Sequence, residues 1–75
     1  MFEELKKILV EEFSIDEDKI TLEAEFVNDL GINSLELADL AYICEDKFNI
    51  TFEDDDLNTF LTVGDVVNYL ADREN

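Results

Sequence analysis

Apolar residues recur at helical spacing along three stretches of this chain. From about Phe2 to Phe13, Phe2, Leu5, Ile8, Leu9 and Phe13 share one face, while Glu3, Glu4, Lys6 and Lys7 lie opposite. From about Ser34 to Phe48, Leu37, Leu40, Ala41, Cys44 and Phe48 form an inward stripe. Leu35, Ala38 and Tyr42 form a second, narrower apolar strip on that segment, flanked by Glu36, Asp39, Glu45 and Asp46. From Val63 to about Asp72, Val63, Val66, Val67 and Leu70 face one way. Strict alternation is absent and β-branched residues are few. The pattern therefore predicts an all-α fold, a small bundle of three main helices and one short one. The short element is a helix or turn around Asp54–Phe60, with Leu57 and Phe60 turned inward.

Helix starts are also marked. Asn33 can cap the second helix, with Glu36 three residues on as in a capping box, and Ile32 and Leu37 hold the positions of a hydrophobic staple. Thr62 can cap the last helix with Asp65 as its N3 partner, and Leu61 and Val66 repeat the staple. The connection from Ser14 to about Asn33 is long for a compact domain. Ile15, Ile20, Leu22, Phe26 and Leu30 are spaced through it, so it is expected to lie packed over the core.

Composition supports a single domain over residues 1–75. With 47% hydrophobic residues, six phenylalanines and two tyrosines, the chain can build one shared core, and a domain of this size needs it. Proline is absent and glycine occurs twice, so helices meet few breakers. Charge changes the picture most. Twenty-one acids against 5 bases give a formal net charge of -16. Nucleic acid and anionic membrane surfaces would be repelled, a partner should be basic, and self-repulsion favours a monomer. No signal peptide or membrane-spanning run is visible, which points to the cytoplasm.

Candidate chemistry narrows to one residue. The chain has no histidine and one cysteine, so a Cys/His zinc site and an internal disulfide are excluded. Cys44 lies on the inward stripe and reads as a small buried hydrophobe. Phe2, Phe13, Phe26, Phe48, Phe52 and Phe60 read as core, and Tyr69 as partly exposed. Asp54, Asp56 and Asn58 open like a calcium loop with Asp65 at the twelfth position, but Thr59 stands where such a loop needs glycine, so no metal site is expected. Ser34 opens the second helix. No histidine is available to activate it and Lys47 lies at the far end of that helix, so it is not expected to be a catalytic nucleophile and the chain is not expected to be an enzyme. Because Asn33 is the better cap, the Ser34 hydroxyl is free to carry a phosphodiester, which the N-terminal end of a helix favours.

The run Phe26-Val27-Asn28-Asp29-Leu30-Gly31-Ile32-Asn33-Ser34-Leu35-Glu36-Leu37 resembles the phosphopantetheine-attachment region of acyl carrier proteins, whose usual pattern is Asp-Leu-Gly-x-Asp-Ser-Leu. Glu45-Asp46-Lys47-Phe48-Asn49-Ile50, the acidic run after Phe52, and Leu61-Thr62-Val63-Gly64-Asp65-Val66-Val67 also fall where that family has counterparts. The resemblance therefore spans essentially the whole chain.

It implies a carrier that holds acyl groups as thioesters on a 4'-phosphopantetheine arm at Ser34 and delivers them to fatty-acid or related biosynthetic enzymes. It implies two partner classes, a phosphopantetheinyl transferase and acyl-transferring or condensing enzymes with basic patches. The family's partner surface maps here to Leu35, Ala38 and Tyr42 as apolar contacts, with Glu36, Asp39, Glu45 and Asp46 as charged ones. Asn33 departs from the family's aspartate, Lys47 interrupts the acidic patch, and Ala38 and Tyr42 differ from the usual aliphatic or methionine residues. A specialised carrier for polyketide, aminoacyl or secondary-metabolite synthesis is the alternative within the fold. An unmodified acidic interaction module is the alternative of another class.

Overall fold

The computed structural model describes residues 1–73, and at Asp54 the backbone only. Four helices follow in order: α1 (Phe2–Phe13), α2 (Ser34–Phe48), α3 (Asp54–Leu57) and α4 (Val63–Arg73), with a 3-10 turn at Glu17–Lys19. No strand is present among the described residues, which agrees with the all-α expectation. Helix α1 packs on α4 and α2 on α3.

One apolar core joins these elements. Leu5, Ile8 and Leu9 come from α1, Leu40, Ala41 and Cys44 from α2, and Val63, Val66 and Leu70 from α4. Each fully buried large side chain contributes on the order of 1.5–3 kcal/mol. No charged or polar side chain is buried among the described residues. Helices α1 and α2 both end on a residue in the left-handed region, Ser14 at φ 56° and Asn49 at φ 55°, whose amides return to Leu9 and Glu45 carbonyls.

The long connection is held down by Ile20, Ala24, Phe26 and Ile32, all buried. Ile15 and Leu30 are half-buried, as expected of anchors. Leu22 corrects that expectation: its side chain is 46% exposed. Its backbone makes the attachment instead, because the Gly64 amide donates to the Leu22 carbonyl at 2.8 Å. Val63 donates to Ala24 at 2.9 Å and Phe26 to Leu61 at 3.0 Å, with Glu25 and Thr62 forming an isolated antiparallel bridge. Two chain segments far apart in sequence are thus stitched where α4 begins. Leu61 corrects a second expectation, since it is 55% exposed rather than closed over the buried Val66.

Thr62 and Asp65 form the reciprocal cap. The Asp65 amide donates to Thr62 Oγ1 at 3.3 Å, and the Asp65 carboxylate accepts from the Thr62 and Leu61 amides at 3.0 and 2.9 Å. Those backbone donors hold the Asp65 carboxyl below its ordinary value of 3.8. At the other end of α4, three rings meet. Phe52 stacks on Tyr69 at 4.9 Å between centroids, and Phe60 stands edge-on to both at 5.7 and 5.3 Å. Each such pair adds about 0.5–1.5 kcal/mol beyond burial. The Tyr69 hydroxyl donates to Asp56 at 2.8 Å, and the Arg73 guanidinium lies 4.2 Å over the Tyr69 ring and 3.8 Å from the same carboxylate. Asp56 and Asp65, two members of the calcium-like loop, are therefore spent on tying α3 to α4 and on capping. The Asp54 side chain lies outside the described atoms.

Two stability predictions follow from the seam and the cap. A Cβ at position 64 would sit 3.0 Å from the Leu22 carbonyl oxygen. Alanine gains about 1 kcal/mol of helix propensity but forces that close-packed seam apart, which costs typically 1–3 kcal/mol. Gly64→Ala should therefore lower the urea midpoint, a net loss of about 1 kcal/mol. For Asp65, a folded value depressed below the unfolded one stabilises fully above the unfolded value and is lost as pH falls through the folded one. The stability gap between wild type and Asp65→Asn should be full above pH 3.8 and close below it in pH-dependent denaturation curves.

Candidate functional site

The site is assembled from the loop before α2. Phe26 is buried, and the Ile32 amide donates to the Phe26 carbonyl at 2.7 Å. Between them the chain turns tightly. Asp29 donates from its amide to the Glu25 carbonyl at 2.9 Å and accepts from the Glu25 amide at 2.7 Å, while Asn28 donates to the Glu25 side chain. Gly31 sits at φ 68°, a left-handed conformation that L side chains resist, and leads into Ile32. With Phe26 and Ile32 anchored, Asn33 and Ser34 emerge at the surface.

Asn33 is the cap. Its Oδ1 accepts from the Glu36 amide at 2.9 Å, and the Asn33 amide donates to Glu36 Oε1 at 3.2 Å. The expected capping box is therefore present. Ser34 is the first residue of α2 and exposed, and its hydroxyl is not the cap. Its position suits a phosphodiester, since the positive end of a 15-residue helix lies directly beneath it.

The expected partner residues divide into two groups. Leu35 is 79% exposed and Tyr42 70%, with Asp39 and Asp46 exposed and Ala38 half-buried along the same side of α2. Glu36 and Glu45 are half-buried and already engaged. Glu36 completes the cap, and Glu45 Oε2 accepts from the Phe52 amide at 2.7 Å, tying α2 to the segment before α3. Cys44 is buried as expected, and burial pushes its thiol up to about 12.

Sequence reasoning missed the groove beside Ser34. It is open, about 410 Å³, and is bordered by Ser34, Val27, Leu37, Ala38, Leu57 and Phe60. Val27 is 59% exposed there. Only an apolar residue left outside the helical stripes hinted at it, because the groove is formed by three separate segments.

A family model described as "Phosphopantetheine attachment site" matches residues 3–70. The chain belongs to the acyl carrier protein family. It is 44% identical to an acyl carrier protein of Petrotoga mobilis, over 100% of this chain and 88% of that one. It is 40% identical to an acyl carrier protein of Clostridium perfringens, over 97% of this chain and 96% of that one. The fold is that of the crystal structure of an acyl carrier protein from Thermotoga maritima, with a TM-score of 0.84 at 24% identity over 95% of this chain and 82% of that one. Family membership brings with it phosphopantetheine as the cofactor, and Ser34, its helix terminus and the adjoining groove fit such a group. No helix among the described residues is long and apolar enough to cross a membrane.

Asn33 stands where the attachment motif of acyl carrier proteins usually has aspartate. Asn33→Ala removes the cap acceptor and should cost about 1 kcal/mol. Asn33→Asp should stay within a few tenths of a kcal/mol of wild type, because both side chains cap well. Thermal unfolding of the two variants measures the difference.

Proposed function

We propose that Ser34 is the attachment point of 4'-phosphopantetheine and that the protein carries acyl groups to fatty-acid or related biosynthetic enzymes. The supporting observation is that Ser34 is exposed at the first position of α2 while Asn33 performs the capping. A serine that the fold does not need for its own helix is available to an external transferase. In the loading step the Ser34 oxygen forms the new bond to phosphorus, the nucleotide part of coenzyme A leaves, and the serine proton passes to the transferase. The bound arm supplies a terminal thiol that holds acyl groups as thioesters.

The chain's own residues present and tether that arm. Phe26 and Ile32 fix the approach to α2, so Ser34 is held at a defined place on an otherwise rigid helix. The tether keeps cargo at high local concentration near whichever enzyme is docked. Leu35, Ala38 and Tyr42 supply apolar contact area. Asp39 and Asp46, both exposed, meet Lys and Arg on a partner, with Glu36 and Glu45 at the margin of that surface. Such charges raise the rate of encounter more than the affinity. The protein acts as a cytoplasmic monomer within residues 1–75, supplying no catalytic group itself.

Incubation with coenzyme A and a phosphopantetheinyl transferase, followed by intact mass spectrometry, tests the assignment. Wild type should gain one phosphopantetheine and Ser34→Ala none, with unchanged helicity. Gain by the alanine variant would move the site elsewhere. No gain in wild type with either a broad-specificity or a cognate transferase would favour the unmodified interaction module.

A further inference from the structure

Among the described residues, three large apolar side chains outside α2 are exposed: Leu22 at 46%, Val27 at 59% and Leu61 at 55%. The apolar strip of α2 uses none of them. The seam between the long connection and the start of α4 fixes their places. The Phe26 amide donates to the Leu61 carbonyl at 3.0 Å, which sets the backbone of Leu61 beside that of Val27, the residue after Phe26. Leu22 lies at the other end of the seam, where its carbonyl accepts from the Gly64 amide at 2.8 Å. Val27 borders the same opening as Ser34, and so does Phe60, the residue before Leu61. Two exposed apolar residues from separate parts of the chain therefore converge beside the serine. Acids rim them. Asp29 is exposed two residues after Val27, and the Asp65 carboxylate accepts from the Leu61 amide at 2.9 Å.

Resting on the assignment of Ser34 as the attachment point, we propose that Val27 and Leu61 form a second docking patch, apart from α2, for the phosphopantetheinyl transferase. The matching surface of that enzyme is apolar and rimmed by Lys or Arg. Position selects this occupant. The transferase forms the bond between the Ser34 oxygen and phosphorus as the nucleotide part of coenzyme A leaves, so it must close to bonding distance of the serine and cover the residues around it. An enzyme that takes cargo from the far end of the arm meets no such demand. Charge selects it as well, since Asp29 and Asp65 favour a basic rim and oppose an acidic one. Leu22, at the far end of the seam, stays outside the patch.

Steady-state loading by a phosphopantetheinyl transferase, with this protein as the varied substrate and coenzyme A saturating, tests the patch. Val27→Ser and Leu61→Ser should each raise KM about fivefold, the loss expected when roughly half of a large apolar side chain no longer leaves water on docking. The contact is made before and during the bond-forming step alike, so kcat should not change. Leu61→Met keeps the apolar area and should keep the wild-type KM, as should Leu22→Ser. All four positions are solvent-facing substitutions, and unchanged helicity and melting temperature check that each variant folds; Val27→Ser stands alone if Leu61→Ser does not. A wild-type KM in the folded serine variants at positions 27 and 61 would overturn the patch. An equal rise with Leu22→Ser would do the same, since exposed apolar surface anywhere would then suffice. Dimerisation of wild type in analytical ultracentrifugation that Leu61→Ser abolishes would give the patch to a second copy of the chain instead. No loading of wild type by a broad-specificity or a cognate transferase would overturn the carrier assignment, and the patch with it.

Discussion

Apolar burial is the only cohesive force this chain has in quantity, and everything else is arranged around it. With 21 acids and 5 bases, most carboxylates have no cation to pair with. The ion pairs among the described residues, such as half-buried Lys6 with exposed Glu17 at 3.4 Å, each have at least one partner open to solvent and contribute little. The core accordingly contains no polar or charged side chain among the described residues. Repulsion on the surface is tolerated because three helices and the long connection share one apolar interior. Acids that accept from backbone amides, Asp29, Glu36, Glu45 and Asp65 among them, sit in the turn before α2, at helix starts and at a crossing point, where they satisfy amides that would otherwise lack acceptors.

That division of labour suits a carrier. A protein that visits several enzymes gains from a surface that is uniformly charged and sheds wrong partners, and from a rigid interior that holds one attachment point still. The exposed acids Asp39 and Asp46 of α2 lie on the same side as the exposed Leu35 and Tyr42. Mixed apolar and acidic character on one helix side is the combination a basic, partly apolar docking face would recognise. Asn33 leaves the helix start intact while removing one negative charge from beside Ser34.

Much of this was legible in the chain because the signals are local. The 3.6-residue period of Leu5, Ile8 and Leu9, or of Val63, Val66 and Leu70, needs only helical geometry to reveal a buried face. Capping by Asn33 and Thr62 depends on residues three positions away. The place of Ser34 at the first position of α2 follows from the same arithmetic. Leu22 and Leu61 went the other way. Both are apolar and well spaced, yet both point outward, and it is their backbone carbonyls that join residues 22–26 to residues 61–64. Ala24, lying between two glutamates, gave no periodic signal and is buried in that seam.

The sequence by itself determined the helices, their starts, the acidic surface and the serine that stands apart from the fold's own needs, since each rests on interactions within a turn or two of chain. Tertiary structure alone decided which loop atoms pair with the start of α4, that Glu45 is committed to the Phe52 amide, and that Phe52, Phe60 and Tyr69 meet in one ring cluster. Those features join residues distant in sequence, and hydrophobic period says which side of an element is buried but not which partner it meets.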